Sequence, residues 1–328
     1  MKAVSLVAAA LGIAAIGGLV AYFGADAVGH ALLSVGLLGF AAICAIHLVL
    51  IAVMGIAWRA LLPETPWWVP LWGRMVRDAG SEVLPLSQVG GYVLGARAVS
   101  LFGVSGTAAA ATTIVDVTLE FIAQVAYTAL GLAYLVRLRP DSEVATPVAV
   151  GLVVAALAAL GFFIVQRRGV AYVDRIAGIL GRGWAERTAA GAVALHQALA
   201  AIYERRGGLV ISFGLHLACW VASAAEAWLV LRLAGSPLPF GAVLVIESLL
   251  YATRTVAFMV PNAVGVQEGA YILLGAAFGL GPDTALALSL LKRARDLVIG
   301  LPTIAVWQAV EGGRLWRRTE RRPRLTGS

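Results

Sequence analysis

The sequence predicts an all-α, polytopic integral membrane protein with two inverted repeats, each containing a broken, re-entrant helix pair. Three observations carry that reading. First, 60% of the 328 residues are hydrophobic and only 13% charged, with a mean hydropathy of +0.88; soluble domains carry about 25% charged residues. Second, several windows of about 20 residues lack charge almost entirely, the length that spans a bilayer as a helix. Third, two stretches broken at a proline recur at a fixed separation along the chain.

Long helical spans are predicted at residues 4–23, 37–58, 107–136, 147–165, 209–233 and 283–308. The first is long for a secretory signal and lacks a clear cleavage site, so it reads as a retained helix. Between the second and third spans, residues 66–103 are rich in tryptophan, then polar, then broken at Pro85. Residues 239–281 are broken in the same way at Pro261. Proline at the join of two half-length apolar segments is the pattern of discontinuous or re-entrant helices.

Arginine sets the orientation. The connection at 166–207 holds Arg167, Arg168, Arg175, Arg182, Arg187, Arg205 and Arg206 against three acidic residues, and six more arginines follow Gly313. The loops at 23–34 and 232–240 hold none and one. The positive-inside rule then puts the basic side, and both termini, in the cytoplasm. Arg137 and Arg139 fall outside on this scheme. Within the connection, residues 175–206 read as an amphipathic pair on the cytoplasmic face, and 311–328 as a basic cytoplasmic tail. The net charge of +7 therefore reflects topology and lipid headgroups, not a nucleic-acid surface. Cys44 and Cys219 lie in apolar segments and read as small core residues.

Sliding the sequence by 176 positions brings Pro85 onto Pro261, "LFGVSGTAA" onto "AFGLGPDTA" and Glu120 onto Asp296. Repeat one covers about 37–138 and repeat two about 209–309, in a single transmembrane domain. Each broken pair contributes an even number of crossings, so the lone span at 147–165 turns the second repeat upside down. Paired broken helices in inverted repeats are a transporter architecture, with the substrate site near the midplane.

Ionisable groups inside spans cost about 2.5–3.5 kcal/mol each on the insertion scale and so face the bundle interior. Gln88, Tyr92 and Arg97 follow the first break; Arg74, Arg77, Asp78 and Glu82 precede it. Asp116 and Glu120, four apart, share one helix face with Gln124. The second repeat offers Glu247, Arg254, Asn262, Gln267, Glu268, Lys292, Arg293, Arg295 and Asp296, and Glu226 and His216 precede them. Two readings stay open: Asp116 or Glu120 pairs with Arg293 or Lys292 merely to close the bundle, or these groups line a site. His216 reads as a packed, hydrogen-bonded histidine, and Trp67, Trp68 and Trp72 as interfacial anchors. There is no Walker phosphate loop, no aspartate-rich diphosphate motif, no metal-ligand cluster and no Ser/His/Asp arrangement, so no cofactor, metal or enzymatic activity is expected.

"LPLSQVGGYVLGARA" with "IVDVTLEFIAQ", then "VPNAVGVQEGAYILLG" with "SLLKRARDLVIGLP", resembles the lysylphosphatidylglycerol synthase transmembrane-domain family. Within it the sequence looks most like the hopanoid-biosynthesis-associated membrane proteins. Pro261, Gly265 and Glu268 match the family's second motif and Arg293 its following basic residue. Pro85, Gly90, Gly91 and Arg97 match the first. Many relatives have a glutamate–arginine pair near Asp116, where this chain has Asp116–Val117.

The resemblance implies a multi-pass protein of the bacterial inner membrane that moves lipids between leaflets, with hopanoids or related lipids as cargo. The aminoacyl-transferase part of the synthases is not expected, since the longest connection is about forty residues. Membrane lipids are the expected partners, with lipid-biosynthesis enzymes as a further possibility and no nucleic acid. A lipid-modifying transferase and a non-transporting scaffold are the rival readings. The expected site is a midplane cavity where Glu268, Asn262, Gln267, Arg293 and Asp296 meet Arg97, Asp116 and Glu120, with Glu268 or Asp116 as a candidate proton acceptor. Glu268→Gln is expected to impair transport and leave folding largely intact.

Overall fold

The computed structural model describes residues 25–84, 87–180, 182–257, 260 and 263–320, with side chains at all of these except 25, 27, 28, 87, 167–190 and 315–320. The span at 4–23, Pro85, Pro261, Asn262 and the tail beyond 320 lie outside the described residues. The described chain is helical, from α1 (Ala25–Leu61) through α2 (Trp68–Val83), α3 (Ser87–Ser100), α4 (Gly106–Leu138) and α5 (Ala145–Leu180). It continues through α6 (Arg182–Glu204), α7 (Arg206–Leu233), α8 (Phe240–Val256), α9 (Val266–Ala276) and α10 (Pro282–Glu320). Four described segments are long and apolar enough to cross a membrane: Gly29–Leu61, Gly106–Leu138, Ala145–Gln166 and Arg206–Leu233. The molecule is a multi-pass helical membrane protein.

Local chemistry sets the boundaries. Gly36 interrupts α1 with φ +67, a conformation that a Cβ would disfavour, inside the Gly29–Leu61 span. Ser105 caps α4 by accepting from the Ala108 amide at 3.2 Å. The span predicted to end at residue 165 runs on unbroken to Leu180, because nothing in 166–180 stops a helix. α6 then returns along it: Tyr203 donates to Gln166 at 2.6 Å and meets Phe163 edge-on. The connection expected to lie on the membrane face is thus an antiparallel hairpin with α5.

The two broken regions are hairpins of short helices. α2 and α3 have 16 and 14 residues, α8 and α9 have 17 and 11. At 1.5 Å per residue each is about 17–26 Å long, short of a hydrocarbon core of about 30 Å. Gly73, Gly80, Gly91 and Gly95 bring α2 and α3 together; a Cβ on Gly91 would overlap the Ser81 hydroxyl and the Arg77 carbonyl. α8 and α9 meet instead through Tyr271, which donates to Glu247 at 2.5 Å.

The helices pack reciprocally. α4 lies on α7 and α8, and α10 lies on α1 and α2, so each long last helix rests on the other half. α1 and α7 run antiparallel, Gly39 beside Leu233, His47 beside Glu226 and Gly208 beside Ala60. Gln124 meets Thr255, and 176 positions away along both helices Gly300 meets Ala79. The α2–α3 hairpin opens where α4 begins, with Trp68 against Phe102 at 4.7 Å. The α8–α9 hairpin opens where α4 ends, with Gly241 against Tyr134. Their tips meet midway, where Arg254 donates twice to Glu82 at 2.8 and 3.0 Å. An apolar core of α1, α7, α8, α9 and α10 side chains, around Ile43, Leu231, Leu250 and Leu291, supports the second hairpin.

Candidate functional site

A cavity of about 380 Å³ lies between the hairpins, within the range of small-molecule pockets. One wall is a single face of α2: Arg74, Arg77, Asp78, Ser81 and Glu82, spaced three and four apart. Gln88, Val89 and Tyr92 of α3 continue it. Opposite stand Glu120, Phe121 and Gln124 of α4, Trp220 and Ser223 of α7, Tyr251 and Arg254 of α8, and Arg295 and Asp296 of α10. His47 of α1 closes one side, and Ala159 and Phe162 of α5 another.

The charges are interlocked. Arg74 donates to Asp78 at 2.8 Å and to both oxygens of Glu120 at 2.9 and 3.2 Å. Arg77 bridges Glu120 and Asp116, the latter at 2.7 Å, and its guanidinium lies over the Tyr92 ring at 4.6 Å. Asp116 is fully buried behind Arg77, with His216 Nε2 at 3.0 Å on its other oxygen. Across the cavity Arg295 pairs with Glu226 and, at 2.7 Å, with Asp296. His47 reaches Glu226 through Nδ1 at 3.1 Å. Bidentate guanidinium–carboxylate pairs suit such a site because their charge is shared between fixed donors.

Trp220 and Tyr251 form an aromatic corner, ring centroids 4.6 Å apart, above these charges. Phe162 and Val89 line the cavity and are each more than half exposed.

A second cluster lies at the break before α9. Gly265 adopts φ +79, and its amide donates to Glu268 Oε2 at 2.8 Å. Ser289 donates to Glu268 Oε1 at 2.8 Å, and Arg293 grips both oxygens at 2.6 and 3.2 Å. Gln267 donates to Ser289 at 2.9 Å. Nearby, Lys292 donates to Glu247 at 2.5 Å and to Tyr271 at 2.9 Å. Among the described residues no group of His, Cys, Asp and Glu side chains is arranged to hold a metal ion.

The family model for the lysylphosphatidylglycerol synthase TM region matches residues 6–302. The chain belongs to that family. No curated protein and no solved structure matched. For this member of the lysylphosphatidylglycerol synthase TM family, the single meeting point expected from the sequence divides into three. Glu120 and Asp296 line the central cavity, with Asp116 one layer behind. Glu268, Gln267, Gly265 and Arg293 form the clamp at the second break and do not line that cavity. Arg97 is half exposed at the end of α3, donating to Glu311 at 2.6 Å and 3.2 Å. Gly91 is the close-contact residue of the first hairpin, and Gly90 lies beside it in the first turn of α3.

The expected bundle-closing pairs take different partners. Asp116 and Glu120 pair with Arg77 and Arg74, while Arg293 and Lys292 pair with Glu268 and Glu247. Sequence reasoning passed over His47, although a lone histidine in an apolar span was itself a signal.

Proposed function

We propose that the protein is a lipid flippase or lipid transporter of the bacterial inner membrane, carrying hopanoids or related lipids across or out of the bilayer. The observation that carries this reading is the central cavity: charged at its heart, and lined at one side by the apolar Phe162 and Val89, each more than half exposed. A polar headgroup exchanges hydration for the arginines and carboxylates inside, avoiding a cost of several kcal/mol per unpaired polar group. Its apolar tail leaves between α3 and α5 and stays in the hydrocarbon. Membership of a lipid-handling family supports the same reading, and the closer resemblance supplies the hopanoid cargo.

In this reading the two halves are inverted repeats and the hairpins re-entrant, each entering from its own side of the membrane. Their entry at opposite ends of α4 and the reciprocal packing of α4 and α10 support it. Both termini then lie in the cytoplasm, with Arg205 inside and Arg139 outside. Reconstituted protein tests the transport: fluorescently tagged phosphatidylglycerol and a tagged hopanoid should exchange between leaflets of proteoliposomes, and Arg254→Gln should slow this by freeing the hairpin tips. Absence of exchange for every lipid tried, with folded protein in the vesicles, would sink the reading. Cysteines placed at 139 and 205 and labelled from one side test the topology.

A further inference from the structure

A second cavity, of about 420 Å³, lies at the end of the bundle where α1 and α3 stop and α4 and α7 begin. Among the described residues, none of its lining belongs to the central cavity. Three membrane-length segments have a limit here: Gly29–Leu61 ends, and Gly106–Leu138 and Arg206–Leu233 begin. The walls come from both sides of those limits, with Leu61 and Leu62, Ser105 and Ala108, Ile202 and Arg205. Trp67 and Trp68, just beyond the Pro63–Pro66 wall, are exposed, as aromatic rings at headgroup level are. The groove therefore sits where hydrocarbon gives way to headgroups.

Its shape is set by the local chain. Pro63 and Pro66 fix φ in the turn between α1 and α2. That turn closes on itself, the Leu62 amide donating to the Arg59 carbonyl at 2.9 Å and the Thr65 amide to that of Leu62 at 3.1 Å. On the opposite wall Gly103 turns the chain at φ +99, a conformation open to glycine, and Ser105 caps α4. Behind the walls lie two apolar clusters, one around Trp58 and Val99 and one around Leu61 and Ile202. The groove is thus preformed and oily.

Its cations stand at the edge. Arg205 lines the groove and is half exposed; it faces Glu64 at 3.9 Å, beyond hydrogen-bond reach, and Glu64 itself is almost wholly exposed. Such a pair is worth little and yields easily to a better anion. Arg314 is exposed and lies over the ring of Phe102, another wall residue, 5.1 Å from its centroid.

We propose that this groove binds an anionic phospholipid, at a site separate from the central cavity and independent of the transport reading. The phosphate sits at Arg205, whose planar guanidinium matches its oxygens, and Arg314 adds to the field that draws an anion to this rim. The glycerol and upper chains lie against Leu62, Phe102, Ala201 and Ile202. A free phosphate would use the rim and leave the apolar walls bare. A zwitterionic lipid brings its own cation to the arginine and gains less.

Photocrosslinking of the full chain in phosphatidylcholine nanodiscs tests this, with phosphatidylglycerol carrying a diazirine near the top of one chain as the probe. Adducts mapped by mass spectrometry should gather on residues 61–66, 102–108 and 198–205, several-fold more than with phosphatidylcholine bearing the same chain. Arg205→Gln should cut them several-fold. Ala201→Trp, which fills the groove from an exposed position, should nearly abolish them and leave adducts at 117–124 unchanged. Both variants should unfold at the wild-type temperature in phosphatidylcholine, and added phosphatidylglycerol should raise that temperature for wild type alone. Equal labelling by the two lipids, or labelling indifferent to both substitutions, means a surrounding lipid only and overturns the proposal. Competition by millimolar inorganic phosphate would assign the rim to the free anion and overturn the lipid.

Discussion

The two hairpins share an outline and differ in their chemistry. At the 176-residue offset, Asp116 of α4 corresponds to Lys292 of α10, so the long helix supplies the acid in one half and the base in the other. In the first half Asp116 takes its cation from α2 as Arg77; in the second Lys292 takes its anion from α8 as Glu247. The first hairpin is closed by glycines and turns its charged face to the cavity. The second is closed by buried polar locks, and among its described residues only Tyr251, Arg254 and Thr255 reach the cavity. One hairpin is therefore the chemical wall and the other its buttress.

That contrast can be broken at several points. Arg77→Met removes the partner of a fully buried Asp116 and should cost about 3–5 kcal/mol, seen as a large drop in thermal denaturation temperature in detergent. The buttress should behave oppositely. Replacing Lys292, Glu247 and Tyr271 together by Met, Leu and Phe removes a whole buried network, which is often neutral or stabilising, and lipid exchange should persist. Gly91→Leu should force α3 off α2 at about 1–3 kcal/mol, whereas Gly269→Leu, with open space beside it, should stay within about 1 kcal/mol of wild type.

Glu268→Gln separates structure from transport. It removes the carboxylate that Arg293 grips and weakens the cap on Gly265, so about 1–3 kcal/mol of stability should be lost while exchange per folded molecule is kept. This reverses what its place beside Gly265 suggests from the sequence alone. Smallest of all, Arg97→Ala should cost less than about 1 kcal/mol, because its partner Glu311 is held at an exposed end and salt screens the pair.

The sequence made the spans and breaks legible because hydropathy and proline act locally. α4 and α7 fall within three residues of the expected ends, whereas the span in α1 begins at Gly29, eight residues before the expected start at 37. α5 overran its expected end because a change from apolar to basic residues alters a helix's surroundings without breaking it. The site was half legible. Spacing put Asp116 and Glu120 on one face, yet spacing says nothing of what lies opposite. Their partner Arg77 is 39 and 43 positions away, and Glu226 is 179 from His47. Glu268 was misplaced for the same reason: its two oxygens are taken up by Ser289, Arg293 and its own helix start.

α5 packs mainly against α4 and α6 and leaves most of its surface outward, yet Phe162 and Ala159 wall the central chamber. There an apolar aromatic ring, more than half exposed, lines the same chamber as the charged residues of α2 and α4. A rotation of Phe162 about its own χ angles is a far smaller motion than parting two packed helices. If the proposed transport is right, α5 is where a sideways entry would ask least of the packed core.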